Sequence, residues 1–168
     1  MYKRQQYHFG DRAALVGAIY AYRSEQLDAR RAALLTAHQA SGAPDYTNTL
    51  LHILLQPHVE SITDPENNFL PFLARLVIDL GSLANASSAA ASPFMGAHNE
   101  LRRKIRDLNR DVPKKVFDQR YDLLLTFAIT ALATYKRIGR TPGQGRLAEV
   151  ADEIVGMMAA GLAAPLPE

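Results

Sequence analysis

Between Asp11 and about residue 40, apolar side chains return at intervals close to three and four: Leu15, Ile19, Tyr22, Leu27, Leu34 and Leu35. That period places side chains on one face of an α-helix, and Asp11, following Gly10, is positioned to cap its first turn. A helix of this extent would be on the order of 45 Å long and is expected to bridge two parts of a molecule. Ser41-Gly42-Ala43-Pro44 ends it, and Asp45 or Thr47 opens a second helix carrying Leu50, Leu51, Leu54, Leu55 and Val59. Pro57 falls within that run. It is expected to kink the helix, because proline removes a backbone donor and crowds the preceding turn.

Asp64-Pro65-Glu66 has the form of a helix cap with proline at the first helical position, followed by Phe69, Phe72, Leu73, Leu76, Val77 and Leu80. The Ala- and Ser-rich residues 81–93 are expected to form a loop or a frayed end. A fourth helix over 93–109 carries Phe94, Met95, Leu101, Ile105 and Leu108. Asp111-Val112-Pro113 starts a long fifth, through Val116, Tyr121, Leu124, Phe127, Ala128, Ala131, Leu132 and Tyr135. Thr141-Pro142-Gly143-Gln144-Gly145 breaks it, and a last helix runs over about 147–162. No segment alternates as a strand does, and no repeat of solenoid length is present. The expected fold is all-α, a bundle of about six helices.

Composition narrows the function classes. The 168 residues contain no cysteine, so disulfides and Cys-ligated metal sites are excluded, and a reducing, cytoplasmic setting is expected. The apolar stretches 123–135 and 154–164 fall short of the roughly 20 residues a membrane span needs. A net charge of +2 implies no nucleic-acid partner by itself. An enzyme is not expected: the five histidines are scattered and no serine sits in a Gly-x-Ser-x-Gly elbow. No cofactor or metal is expected either, since His52 and Gln56, one turn apart, are too few ligands for an ion.

That pair can instead turn polar groups into a cavity, with His58 on a different face. His98, beside Phe94 and Met95, is a similar candidate. Phe69, Phe72, Leu76, Phe94, Met95 and Phe127 can line such a cavity or serve as core. The basic run Arg102-Arg103-Lys104-Ile105-Arg106 is interrupted by Glu100, Asp107 and Asp111 and reads as a solvated helix face. On the last helix Val150, Ile154, Met157, Met158 and Gly161, with small Gly156 and Ala160, form a surface that another helix can approach closely.

The string Gln6-Tyr7-His8-Phe9-Gly10-Asp11-Arg12-Ala13-Ala14-Leu15 resembles the junction that TetR-family repressors place between their recognition helix and their fourth helix. The likeness lies in the pattern aromatic-His-Phe-Gly/Ser-x-Lys/Arg-x-x-Leu. It implies that His8 and Arg12 match positions touching DNA phosphates, and that Tyr7 and Phe9 match positions packing the head against that helix. Tyr7, His8 and Arg12 are thus the expected remnant of a DNA-backbone contact. Leu50 to Val59 with Gln56-Pro57, Asn99 to Asp107, and Asp111-Val112-Pro113 are similar to the sensor domain of one TetR subgroup. Within such a sensor domain the residues expected to meet a ligand are His52, Gln56, Phe72, Leu76, Phe94, Met95, His98 and Phe127, on the polar and apolar positions read above. The resemblance also implies a two-fold interface pairing the last helix with Leu124, Phe127, Ala131 and Tyr135.

The family pattern calls for earlier helices of a helix-turn-helix head before Gln6. Met1-Tyr2-Lys3-Arg4-Gln5 instead matches the translation of a sequencing-library transposase adaptor, GTG TAT AAG AGA CAG. Residues 1–10 are therefore expected to be a head remnant preceded by adaptor-derived residues, and 11–168 a sensing and dimerisation domain. The intact protein is expected to be a homodimer that binds a double-stranded operator at half-sites about 34 to 36 Å apart. A small apolar or aromatic effector would release it. The rival expectation is a complete small helical binding or scaffolding protein with no DNA-binding role.

Overall fold

The apolar pattern becomes six helices in the computed structural model, which describes residues 12–80, 95–138 and 144–166. They are α1 (Arg12–Ala40), α2 (Thr47–Ile62), α3 (Phe69–Leu80), α4 (Gly96–Leu108), α5 (Lys114–Arg137) and α6 (Gln144–Ala163). No strand occurs among the described residues, and none of their helices is long and apolar enough to cross a membrane.

The centre of the bundle is α2. Leu50, Leu51, Ile53, Leu54, Leu55, Pro57, His58, Val59 and Ile62 are all buried, so the helix is covered on nearly every side and touches each of the other five. Pro57 sits inside it and the helix continues to Ile62. Around it α3 packs on α5, α5 on α6, and α1 on α4. Leu70, Leu101, Ile105, Phe117, Ile129, Leu132 and Met158 complete a core with no measurable exposure.

The buried stripe of α1 differs from the expected one. Ile19 is 39% exposed and Tyr22 62% exposed; the buried positions are Tyr20, Ser24, Asp28, Arg31 and Leu35, spaced by four, four, three and four. Leu27 and Leu34 flank that stripe, half-buried. Gly42, at φ 69°, adopts the left-handed turn that ends α1, which a side chain would strain.

Asp64-Pro65-Glu66 is a turn and does not start α3. Asp64 Oδ1 accepts from the Glu66 amide at 3.0 Å, Asn67 Oδ1 accepts from the Phe69 amide at 3.1 Å, and the helix begins at Phe69. This turn is held from α5. Lys136 Nζ donates to the carbonyls of Ser61 at 3.0 Å, Asp64 at 2.6 Å and Asn67, committing all three ammonium hydrogens to the last turn of α2 and the turn that follows it. Lys136→Met keeps the aliphatic stem and removes the three donors, so it is expected to lower unfolding free energy by about 2 to 3 kcal/mol in a urea titration.

The last two helices meet closely. A Cβ on Gly161 would stand 2.9 Å from both methyls of Leu124, so glycine permits this approach. Arg120 donates to the carbonyls of Leu162, Ala164 and Pro165, closing the C-terminal end of α6. Ile154 and Met158, expected at a partner interface, are buried within this chain and belong to its core.

Candidate functional site

Where α1, α2, α4 and α5 converge, the core turns polar. Arg31 is only 4% exposed, and its Nε donates to the carbonyl of Leu54 at 2.9 Å while Nη2 contacts His58 Nε2 at 2.9 Å. An arginine can only donate, so His58 Nε2 is the acceptor and the ring proton sits on Nδ1. That Nδ1 is buried without a hydrogen-bond partner, as is the hydroxyl of Tyr121. His98 stands edge-on to Tyr121 with ring centroids 6.1 Å apart, and Phe117 stacks on Tyr121 at 5.8 Å.

Asp28 joins the centre to α4. Its carboxylate accepts from the amides of Ala97 at 3.0 Å and His98 at 2.8 Å, which are first-turn donors that α4 cannot satisfy itself. The residue before α4, Met95, supplies no side-chain cap, so α1 caps α4 from outside. Burial and the adjacent guanidinium hold both histidines neutral. His58 is pushed well below the usual imidazole range by burial, then by Arg31 and His98; His98 falls to about 3 by burial, then by Arg31 and Arg102. Burial raises the Tyr121 phenol out of any physiological range.

No protein-family model matches this chain, and no curated protein or solved structure matches it.

The expected ligand residues do not gather at one place. His98 lies in the polar centre. His52 and Gln56 face α6 across a shallow groove also lined by Leu147, Ala151 and Asp152; His52 Nε2 is 3.3 Å from Asp152, and Gln56 donates to Glu60 at 3.3 Å. Phe72, its ring tilted on Phe69, and Leu76 are half-buried on α3. Met95 is half-buried just before α4, whereas Phe127 is 40% exposed on α5. Tyr7, His8 and Phe94 lie outside the described residues, and Arg12 is the first residue of α1. The reason is helical geometry: His52 and Gln56 share the α2 face that meets α6, and His58, six positions beyond His52, turns toward α1.

Of the expected interface residues, Leu124, Ala131, Tyr135 and Val150 are half-buried against the core, and the Tyr135 hydroxyl lacks a partner. Gly161 is in contact with Leu124, and Met157 is 51% exposed. The basic run of α4 is spent on local pairing. Arg102 bonds Asp118 and lies over the Tyr121 ring at 5.0 Å, Arg103 pairs with Glu100 and Asp107, and Lys104 meets Asp45 at 2.7 Å. Arg106 lies over Phe117. No group of three potential metal ligands occurs among the described residues.

Asp28, Arg31, His58 and Tyr121 had escaped the site reading from sequence. A usable signal existed: Tyr20 and Leu35 bracket Ser24, Asp28 and Arg31 at strict helical spacing, placing charges on a buried stripe.

Proposed function

We propose that this chain is the effector-sensing and dimerising part of a ligand-responsive transcriptional regulator of the TetR type. The observation that carries the reading is the course of α1. This 29-residue helix enters the polar centre through Asp28 and Arg31, and its first residue, Arg12, stands two positions after the Tyr7-His8-Phe9-Gly10 string that resembles the family's link to a DNA-binding head. A ligand that rearranges Arg31 would move the same rigid rod that leads to the head. In the intact dimer, one arrangement of α1 would fit both operator half-sites and the other would not, which couples two sites through two global states.

The α5–α6 pair supports the dimer. Leu123 is 70% exposed and Met157 51%, on the two helices that the Gly161–Leu124 contact joins, with exposed Gly156 and Ala160 leaving room for close approach. Light scattering is expected to give twice the 18.5 kDa chain mass. Met157→Glu or Leu123→Glu, both at exposed positions, is expected to shift the protein to monomer with unchanged helical circular dichroism. A wild-type monomer at high micromolar concentration would remove the interface. The regulator reading itself is tested in the source DNA upstream of the Gln6 codon. An in-frame helix-turn-helix supports it; a stop codon and ribosome-binding site there overturn it.

A further inference from the structure

An open cavity of about 280 Å³ lies between α1, the end of α2 and the turn that leads to α3. Small-molecule sites begin at roughly 300 Å³, so this one suits a compact ligand. Its apolar lining is Leu27, half-buried, with Pro57 and Phe69, both buried. Arg23 lines it from α1 and Asp64 from the turn. Each of these charges is held in place yet has no counter-charge. The Arg23 guanidinium donates to Gln26 at 3.1 Å and lies 5.9 Å from the centroid of the Tyr22 ring, and Asp64 Oδ1 accepts from the Glu66 amide at 3.0 Å. Among the described residues neither has an ion-pair partner. The other charges at the cavity are committed to each other, since Arg30 grips Glu60 at 2.7 and 3.0 Å and so ties α1 to α2. Lys136 takes the Asp64 carbonyl and leaves its carboxylate, which fixes the turn to α5.

We propose that this cavity is the effector site and that its ligand is an amino acid with an apolar side chain, its carboxylate on Arg23, its ammonium on Asp64 and its side chain against Leu27, Pro57 and Phe69. The proposal rests on reading the chain as an effector-binding domain and adds the place and the chemical class of the effector. Charge balance decides the class. The walls carry one uncommitted cation and one uncommitted carboxylate. A simple acid would meet Arg23 and be repelled by Asp64, and a simple amine would do the reverse. A zwitterion answers both, and the planar guanidinium suits the two oxygens of its carboxylate. Gln26 and the Glu66 amide already orient the two charges, so little side-chain freedom is lost on binding. The ligand would tie α1 to a turn fastened on α5. Arg31 follows Arg23 on the same helix about two turns later, so α1 couples the cavity to the polar centre.

The test is a calorimetric titration of the full chain with L-leucine, L-methionine and L-phenylalanine, each beside its N-acetyl form, which lacks the ammonium, and its amide, which lacks the carboxylate. At least one amino acid is expected to bind with a Kd below about 1 mM, and both of its derivatives about fivefold or more weakly. Two variants identify the partners. In Asp64→Asn, which keeps an acceptor for the Glu66 amide, the preference over the N-acetyl form is expected to vanish while the preference over the amide stays. Arg23→Gln is expected to do the opposite. A disturbed fold would weaken all three compounds alike, so the two preferences report contact and not stability. Should one variant fail to fold, the other and the derivatives on the unaltered chain carry the test. No binding by any of the amino acids, equal affinity for either derivative, or preferences unmoved in a folded variant would overturn the proposal. Its failure is separable from that of the regulator reading. Amino-acid binding without an upstream helix-turn-helix keeps the site and removes the regulator, and the reverse result does the opposite.

Discussion

Lowering the pH from 6.5 to 5 is expected to cost the folded chain about 3 kcal/mol of unfolding free energy, before any carboxylate titrates appreciably. The cause is the pair of buried histidines. In the unfolded chain His58 and His98 protonate near 6.5; in the fold burial holds His98 neutral to about 3 and His58 well below its ordinary range. Below 6.5 the unfolded state thus binds protons that the native state refuses. Stability is complete above that value and falls by about 1.4 kcal/mol per pH unit for each histidine until its folded pKa is reached.

The carboxylates act later. Asp45, Glu60, Glu100 and Asp118 are held below their ordinary values chiefly by hydrogen bonds from Lys104, Arg30, Arg103 and Lys114, so their contributions are lost as the pH falls beyond the carboxylate range. Asp122, raised by burial, works weakly against the trend. Urea titrations at intervals between pH 7 and 5 check the slope. Replacing either histidine by Gln is expected to halve it, and a slope untouched by both changes would mean that neither histidine is buried neutral.

The helices were legible in the sequence because most of their positions answer to a single rule, an apolar side chain every third or fourth residue. α2 follows it on more than one face, which is why it became the middle of the bundle. The start of α3 was misplaced because Asp64-Pro65-Glu66 satisfies the local grammar of a helix cap. What decides that turn is Lys136, some 70 residues later, which takes the carbonyls of Asp64 and Asn67. No local window contains that partner. Ile154 and Met158 were misassigned for a related reason: an apolar face reads the same whether it meets another chain or α2 of its own.

The polar centre was illegible for a different reason. A search for apolar periodicity in α1 collects Ile19 and Tyr22, a neighbouring stripe that faces outward. The true stripe contains Ser24, Asp28 and Arg31, and side chains of that kind at spacings of three and four look like a solvated face with its own ion pair. Their partners are Ala97 and His98 on α4 and His58 on α2, distant in sequence, so the burial that makes them informative exists only after folding.

Asp28→Ala is expected to lower unfolding free energy by about 3 to 5 kcal/mol, the largest effect of any single change at this site and a large share of the stability of an ordinary domain. Three losses combine. The amides of Ala97 and His98 lose their acceptor, and Met95 offers no side-chain replacement, so two donors at the start of α4, one buried and one half-buried, are left unpaired. The negative charge that faces the positive end of the α4 dipole disappears. Arg31, whose charge is favoured by Asp28 despite the lack of direct contact, then stands in the core with less compensation. Asp28→Asn separates these terms: its single carbonyl oxygen still accepts one amide bond, so about half of the loss is expected to return. Gly96, whose added Cβ would stand 3.8 Å from the Asp28 carboxylate, provides the control, because Gly96→Ala makes ordinary contact there and should leave the cap intact. Urea denaturation gives the energies, and amide hydrogen exchange at Ala97 and His98 gives the location. Fast exchange confined to those amides in Asp28→Asn would identify the cap as the source of the loss. A loss below about 1 kcal/mol in Asp28→Ala would mean that α4 is held in place by its apolar face of Leu101 and Ile105, with no need of α1.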